Sequence, residues 1–156
     1  MARVGQVVAS VDGAAIQRAR AAKGLTQHQL ARIVDVAGGE RISGWERGAN
    51  EPRARIIPEL ARALGVDPME LLSLPHGVDL RALRLAAGRS APELAGRLHI
   101  SLHTYLRWES GQRLPRGEPR IAAALAHELR VSKARVVAAL NVTGAVGSPD
   151  DTPLVK

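Results

Sequence analysis

The chain has 156 residues, enough for one or two small domains, and only 2% of them are aromatic. A core built from Leu, Ile, Val and Ala favours small helical bundles over β-sandwiches. The absence of cysteine excludes disulfides and thiolate metal sites, and no apolar run reaches the length of a membrane span.

The charge balance favours a nucleic-acid partner. The formal net charge is +7, with 19 Arg against 3 Lys, and the planar guanidinium suits phosphate and guanine edges. A GC-rich coding genome would also explain arginine over lysine, but it would not explain the net positive charge. Residues 1–12 lack the apolar core of a signal peptide, so we expect a cytoplasmic, nucleoid-associated protein.

Taken in chain order, a weakly patterned arm over residues 1–12 precedes a predicted helix over 14–23. Residues 25–48 then have the pattern of two short helices joined by a tight turn. The first of them begins with a capping box, in which Thr26 and Gln29 satisfy backbone groups at the helix start. The second ends at Gly48, because a glycine there can adopt the left-handed conformation that closes helices.

The apolar residues of this segment predict how the two helices pack. Leu30 and Val34, with Ile33 beside them, make one apolar face at helical spacing. Ile42 and Trp45, three residues apart, would press back onto that face. Helices this short bury too little surface alone, so further helices must cover them.

The second half of the chain repeats the first. Residues 89–95 align with 25–31 at an offset of 64, and residues 108–111 align with 45–48 at an offset of 63. The first copy therefore has one more residue in the turn between its helices. Ser90 and Glu93 form the second capping box, and a helix over 79–87 precedes it.

Each copy also carries two further predicted helices after its closing glycine. One has leucines four residues apart, and the last is a capped helix that begins at Asp67-Pro68 in the first copy and at Ser132 in the second. A period near 64 residues is too long for a solenoid repeat. The sequence thus predicts an all-α protein of two tandem five-helix bundles. The predicted parts are an arm (1–12), a first domain (13–74), a linker (75–77), a second domain (78–142) and a disordered tail (143–156).

The segment 25–48 resembles the helix-turn-helix of the Cro/phage-repressor-like (XRE) family. The matching residues are Thr26, Gln27, Leu30, Ala31, Val36, Ile42, Glu46 and Gly48, followed by Pro52. The resemblance implies that the second helix, near residues 39–47, lies in the major groove of DNA. It also implies that Gln27 contacts the DNA backbone and braces that helix.

For the first copy, the resemblance gives a set of candidate DNA contacts at the helix starts and on the second helix. They are Gln27, His28, Gly39, Glu40, Arg41, Ser43 and Gly44. Glu40 can accept from a cytosine amino group, and Arg41 can fork onto guanine. A glycine inside a helix costs about 1 kcal/mol relative to alanine. Gly44 therefore needs a reason, which is either close approach to DNA or tight packing within the domain.

For the second copy, the same family logic turns Ser101, Leu102, His103, Leu106 and Arg107 outward, and it places Tyr105 in the core. Two outward leucines can contact thymine methyl groups or form a protein-binding surface. The nearby arginines favour DNA.

Four arginines flank the ends of the two recognition helices, where the family contacts phosphates. They are Arg47, Arg53, Arg113 and Arg116. The alternative is that they are solvated surface side chains or pair with Glu51 and Glu118. Trp45 and Trp108 are expected in the cores, and Glu46 and Glu109 are expected to brace their own domains.

The two copies differ in charge and in family residues. Residues 12–74 hold nine Lys or Arg and eight Asp or Glu, a net +1, whereas residues 78–142 hold eleven and five, a net +6. Phosphate attraction should therefore come mainly from the second domain. However, Ala91 replaces Gln27 and Arg89 replaces Leu25 there, which puts base recognition by the second domain in question.

No catalytic or cofactor motif emerges. His99 and His103 are four apart, but His99 falls in the turn before the helix, and no carboxylate completes a metal set. No phosphate-binding glycine loop or serine elbow is present. We therefore expect no enzyme activity, no cofactor and no metal.

The prediction is a sequence-specific transcriptional regulator that binds double-stranded DNA through tandem helix-turn-helix domains. The alternative is that the first domain binds DNA while the second is a protein-interaction or dimerisation module, antitoxin-like or a co-regulator. The expected partner is double-stranded DNA and not a membrane, with a homodimer or a protein partner possible through the second domain.

Overall fold

In the computed structural model, residues 8–112, 114–115 and 118–147 are described. They form nine α-helices, two short 3-10 helices and one pair of two-residue strands. Contacts divide the chain into an N-terminal unit, residues 10–73 with 84–90, and a C-terminal unit, the described parts of 1–9, 74–83 and 91–156. The prediction of an all-α fold with tandem bundles is confirmed. None of the helices in the described ranges is both long and apolar enough to cross a membrane.

The N-terminal unit contains four α-helices, two 3-10 turns and both strands. They are β1 (Ser10–Val11), α1 (Gly13–Ala22), α2 (Gln27–Ile33), α3 (Gly39–Glu46), a 3-10 turn (Ala54–Ile56), α4 (Ile57–Leu64), a second 3-10 turn (Pro68–Leu71) and β2 (Leu72–Ser73). Its core includes the fully buried side chains of Ile16, Leu30, Ile42 and Leu60, with Trp45 5% exposed. Ile33, predicted on the apolar face, is instead 57% exposed, because α2 ends there.

The last element of this unit differs from the predicted capped helix. Asp67 and Glu70 do form a capping box, but the helix that they start is only the 3-10 turn Pro68–Leu71. Leu72 then adopts extended backbone, is buried, and pairs with Val11 in an antiparallel register. The prediction of a full helix was wrong, because strand pairing with β1 takes over the chain after one turn.

The N-terminal arm was also predicted without this pairing. Residues 10–11 are β1, and the Asp12 side chain caps α1 by accepting from the Ala15 backbone N–H. Ala9 is fully buried, and its N–H donates to Asp79 Oδ2 at 2.9 Å while its carbonyl accepts from Arg81 at 2.8 Å. The arm prediction is therefore wrong for this part, and residues 1–7 lie outside the described ranges.

The C-terminal unit is built on five α-helices, the first of which is divided between the two units at residue 83. They are α5 (Leu80–Ala86), α6 (Ala91–Arg97), α7 (Leu102–Glu109), α8 (Pro119–Leu129) and α9 (Lys133–Gly147). Tyr105, Leu94, Leu125 and Val136 are fully buried in this unit. Residues 84–90 group with the N-terminal unit, in which the Cα of Gly88 faces Pro58 so closely that a Cβ would lie 2.8 Å from Pro58 Cγ.

α9 continues into the segment predicted as a disordered tail. Thr143 is 5% exposed, and its hydroxyl accepts from the Leu80 N–H at 3.0 Å and donates to the Ala139 carbonyl at 2.8 Å. The tail prediction was wrong for residues 143–147, because this hydroxyl satisfies a backbone donor at the start of α5. Residues 148–156 lie outside the described ranges.

Candidate nucleic-acid interface

The turn between α2 and α3 sets the position of the candidate recognition helix. It spans residues 34–38, against 98–101 between α6 and α7, which confirms the extra residue of the first copy. In both turns the residue at the equivalent place, Asp35 or His99, has a left-handed φ near +55°. A Cβ at Gly39 would lie 3.0 Å from the His28 backbone nitrogen. Glycine therefore lets the first turn of α3 approach the first turn of α2.

A buried polar cluster fixes α3 to the two helices before it. The Glu46 carboxylate accepts from Arg20 Nε and Nη2 and from Gln27 Nε2, the last at 2.7 Å. Arg20 Nη1 also donates to the Leu25 carbonyl at 2.8 Å. The side chains of Glu46 and Arg20 are only 3% and 15% exposed. These contacts confirm that Glu46 braces its own domain and that Gln27 braces α3.

The two sides of α3 differ sharply in burial. Ile42 and Trp45 are buried against the core, whereas Glu40 and Arg41 are exposed. Ser43 is half-buried, and its hydroxyl accepts from Arg47 Nε at 3.3 Å. The predicted core position of Trp45 is thus confirmed. The opposite side offers an anion, a cation and a hydroxyl within two helical turns.

Gly44 does not belong to that exposed side. It is buried, and a Cβ at this position would lie 2.9 Å from Oδ1 of Asn50. Its carbonyl accepts from the Ala49 backbone N–H at 2.9 Å. Of the two reasons given for a glycine inside this helix, the structure supports packing within the unit.

The cations predicted to contact phosphate in this unit are accessible. Arg41 and Arg53 are exposed, and neither forms a hydrogen bond or an ion pair with another described residue. The alternative pairing of Arg53 with Glu51 is therefore not formed. His28 is likewise exposed at the first turn of α2.

α7 presents a different exposed surface. Leu102 is 40% exposed and Leu106 is 44% exposed, as predicted, while His103 is exposed and Arg107 is half-buried. Ser101 accepts from the Thr104 N–H and donates to the Thr104 hydroxyl, so it acts as the helix cap.

The buried side of α7 has its own brace. The Tyr105 hydroxyl donates to Glu109 Oε1 at 2.7 Å, and Arg81 lies 3.8 Å from Glu109 Oε2. Tyr105 is fully buried, Trp108 is 6% exposed, and their rings meet edge to face with centroids 6.1 Å apart. The predicted core roles of Tyr105 and Trp108 and the bracing role of Glu109 are confirmed.

Two predicted phosphate contacts, Arg113 and Arg116, lie outside the described residues. His99 precedes α7 as predicted, with an exposed side chain. Within the described ranges, no group of three or more His, Asp or Glu side chains is arranged to hold a metal ion.

Arg20 is the one bracing residue that the sequence did not single out. The repeat contains a signal for it, since Arg20 and Arg84 are 64 residues apart and each donates to the carbonyl five residues later, Leu25 or Arg89. A buried arginine conserved in place between two copies points to a structural partner for its guanidinium.

Two family models match consecutive parts of the chain. The model described as "Helix-turn-helix" matches residues 16–71, and the model described as "Helix-turn-helix domain" matches residues 77–145. Neither the curated proteins nor the solved structures include a match to this chain. With α2–α3 and α6–α7 at equivalent places in these two matches, the chain belongs to the DNA-binding helix-turn-helix proteins of the XRE (Cro/phage-repressor-like) family.

Proposed function

We propose that the chain is a sequence-specific regulator of transcription that binds double-stranded DNA with α3 in the major groove and α7 as a second contact. The observation that carries the proposal is the division of α3 into a buried side, held by Glu46, and an exposed side with Glu40, Arg41 and Ser43. A rigidly held helix that presents hydrogen-bonding side chains can distinguish base pairs in the major groove.

The proposed contacts fall into two classes. Glu40, Arg41 and Ser43 on α3 would contact base edges, whereas His28, Arg47 and Arg53 would contact the phosphate backbone. Gln27 supports the proposal through its hydrogen bond to Glu46, which leaves the start of α2 beside the start of α3. Since one chain carries two helix-turn-helix pairs, joint engagement would raise the overall affinity through effective concentration.

Replacing Arg41 by alanine is expected to weaken binding to a duplex selected by the wild-type chain by about 1–3 kcal/mol. The preference at one base pair should relax, because the guanidinium no longer forks onto a guanine edge. Titration of labelled duplexes that differ by one base pair measures both effects. Arg62→Ala is the matched control, since it removes the same charge from an exposed position on α4. Equal affinity of the Arg41 variant for every duplex, at the wild-type level, would remove α3 from the interface.

Replacing Arg53 by alanine should instead weaken binding to all duplexes alike. A phosphate contact carries no sequence information, so the ratio between selected and random duplexes should stay at its wild-type value. The slope of log K against log salt should become shallower by about 1. A change in base preference without a change in slope would contradict the assignment of Arg53 to the backbone.

The exposed Leu102 and Leu106 favour a second candidate function, in which the C-terminal unit holds a protein partner or a second copy of the chain. Sedimentation equilibrium of the full chain, with and without Leu106→Asp, addresses it. A dimer that dissociates in the variant while DNA affinity persists would support this second function.

A further inference from the structure

We propose that α7 recognises thymine through its C5-methyl group, and that the DNA site holds two nearby thymines that contact Leu102 and Leu106. This inference rests on the proposed function, since it names the base that the C-terminal unit would contact. It goes further in giving the two helix-turn-helix pairs different chemistries of recognition.

The exposed side of α7 is unsuited to recognition by hydrogen bonds. At an offset of 63 residues, Leu102 and Leu106 take the places of Gly39 and Ser43 on α3. Both leucines lie on one side of the helix, since residues four apart are neighbours on its surface. An aliphatic side chain set against a base amino or carbonyl group would leave that group without a hydrogen-bond partner, which is costly. The methyl of thymine is the apolar group in the major groove, so it is the complement of an exposed leucine.

The surroundings favour DNA over a protein as the occupant of this surface. Arg97, at the end of α6, and Arg120, at the start of α8, are exposed cations of the same unit. A stable protein interface buries about 800 Å² on each partner. Two half-exposed leucines between the exposed polar residues Ser101 and His103 supply only a small part of that area. Contact with a methyl group needs no more than one side chain.

The spacing of the leucines restricts the DNA site. A helix rises about 1.5 Å per residue, so Leu102 and Leu106 are about 6 Å apart along α7. Successive base pairs are about 3.4 Å apart along the duplex. The two thymines are therefore expected within about two base-pair steps of each other, on either strand.

The test removes the methyl group and nothing else. The full chain is titrated with its selected duplex and with duplexes in which single thymines are replaced by deoxyuridine, which pairs as thymine does. Replacement at each contacted position should weaken binding about four-fold, the value for one buried methyl group. In Leu106→Ala the difference between thymine and uracil at its position should disappear. The Leu102→Ala variant should lose it at the other position only, so each variant is the control for the other.

The outcomes separate this inference from the function on which it rests. Wild-type affinity for a duplex with every thymine replaced by deoxyuridine overturns the inference but leaves DNA recognition intact. Failure of the wild-type chain to prefer any duplex overturns both. Self-association that is lost in the two leucine variants, together with equal affinity for thymine and uracil, would assign the surface to a second copy of the chain. Circular dichroism of the variants checks their folding.

Discussion

Replacing Glu46 by alanine is expected to lower the free energy of unfolding of the N-terminal unit by about 3 kcal/mol. The carboxylate is 3% exposed and accepts hydrogen bonds from both Arg20 and Gln27. Its removal leaves the Arg20 guanidinium, only 15% exposed, without its counter-ion. Breaking a buried pair on one side costs more than the pair contributes, since the remaining charge stays away from water. Urea unfolding followed at backbone amides of the N-terminal unit measures the change.

Glu40→Ala is the matched control for this prediction. Glu40 is a glutamate of the same helix, but its side chain is exposed. Its replacement should change stability by no more than about 0.5 kcal/mol. Equal effects of the two substitutions would show that the cluster around Glu46 does not hold α3 in place.

Gly13→Ala should destabilise the N-terminal unit by about 1–3 kcal/mol, although alanine is the better helix former. A Cβ at Gly13 would lie 2.3 Å from the Trp45 carbonyl oxygen and 2.7 Å from that of Glu46. Both atoms belong to the backbone at the end of α3, so no side-chain rotation can relieve the clash. The start of α1 must move away from α3. Denaturant titration of the purified variant gives the loss directly.

Gly96→Ala provides the opposite expectation in a helix of the C-terminal unit. No heavy atom lies within 4 Å of the place where its Cβ would be. Alanine should therefore raise stability by up to about 1 kcal/mol through helix propensity alone. A stabilised Gly13 variant, or a strongly destabilised Gly96 variant, would contradict the packing described for α1 and α6.

The sequence was sufficient where the decisive chemistry is local. The start of α2 depends on Thr26 and Gln29, which are three residues apart, and both hydrogen bonds of that capping box are formed. The buried sides of α3 and α7 follow from residues three apart on one helix, such as Ile42 with Trp45 and Tyr105 with Trp108. A repeat of the same signals at a fixed offset then gave the tandem arrangement.

The sequence was insufficient where the partner is remote. β1 and β2 are strands of two residues, too short to show any periodicity, and they pair across some sixty residues of chain. Residues 143–147 contain two glycines and suggested a tail, yet the hydroxyl of Thr143 is bonded to Leu80 far upstream. Gly44 is similar, since its role depends on the packing of Asn50 in the loop after the helix. Arg20 needed the position of Glu46 before its role was visible.

The bond between Thr143 and Leu80 has a consequence for synthesis of the protein. The N-terminal donor of α5 acquires its acceptor only when residue 143 has left the ribosome, long after the helix itself has emerged. The N-terminal unit draws on residues no later than 90, so it can close while translation continues. The first helix-turn-helix is therefore expected to mature on the nascent chain, before the second has all the partners it requires.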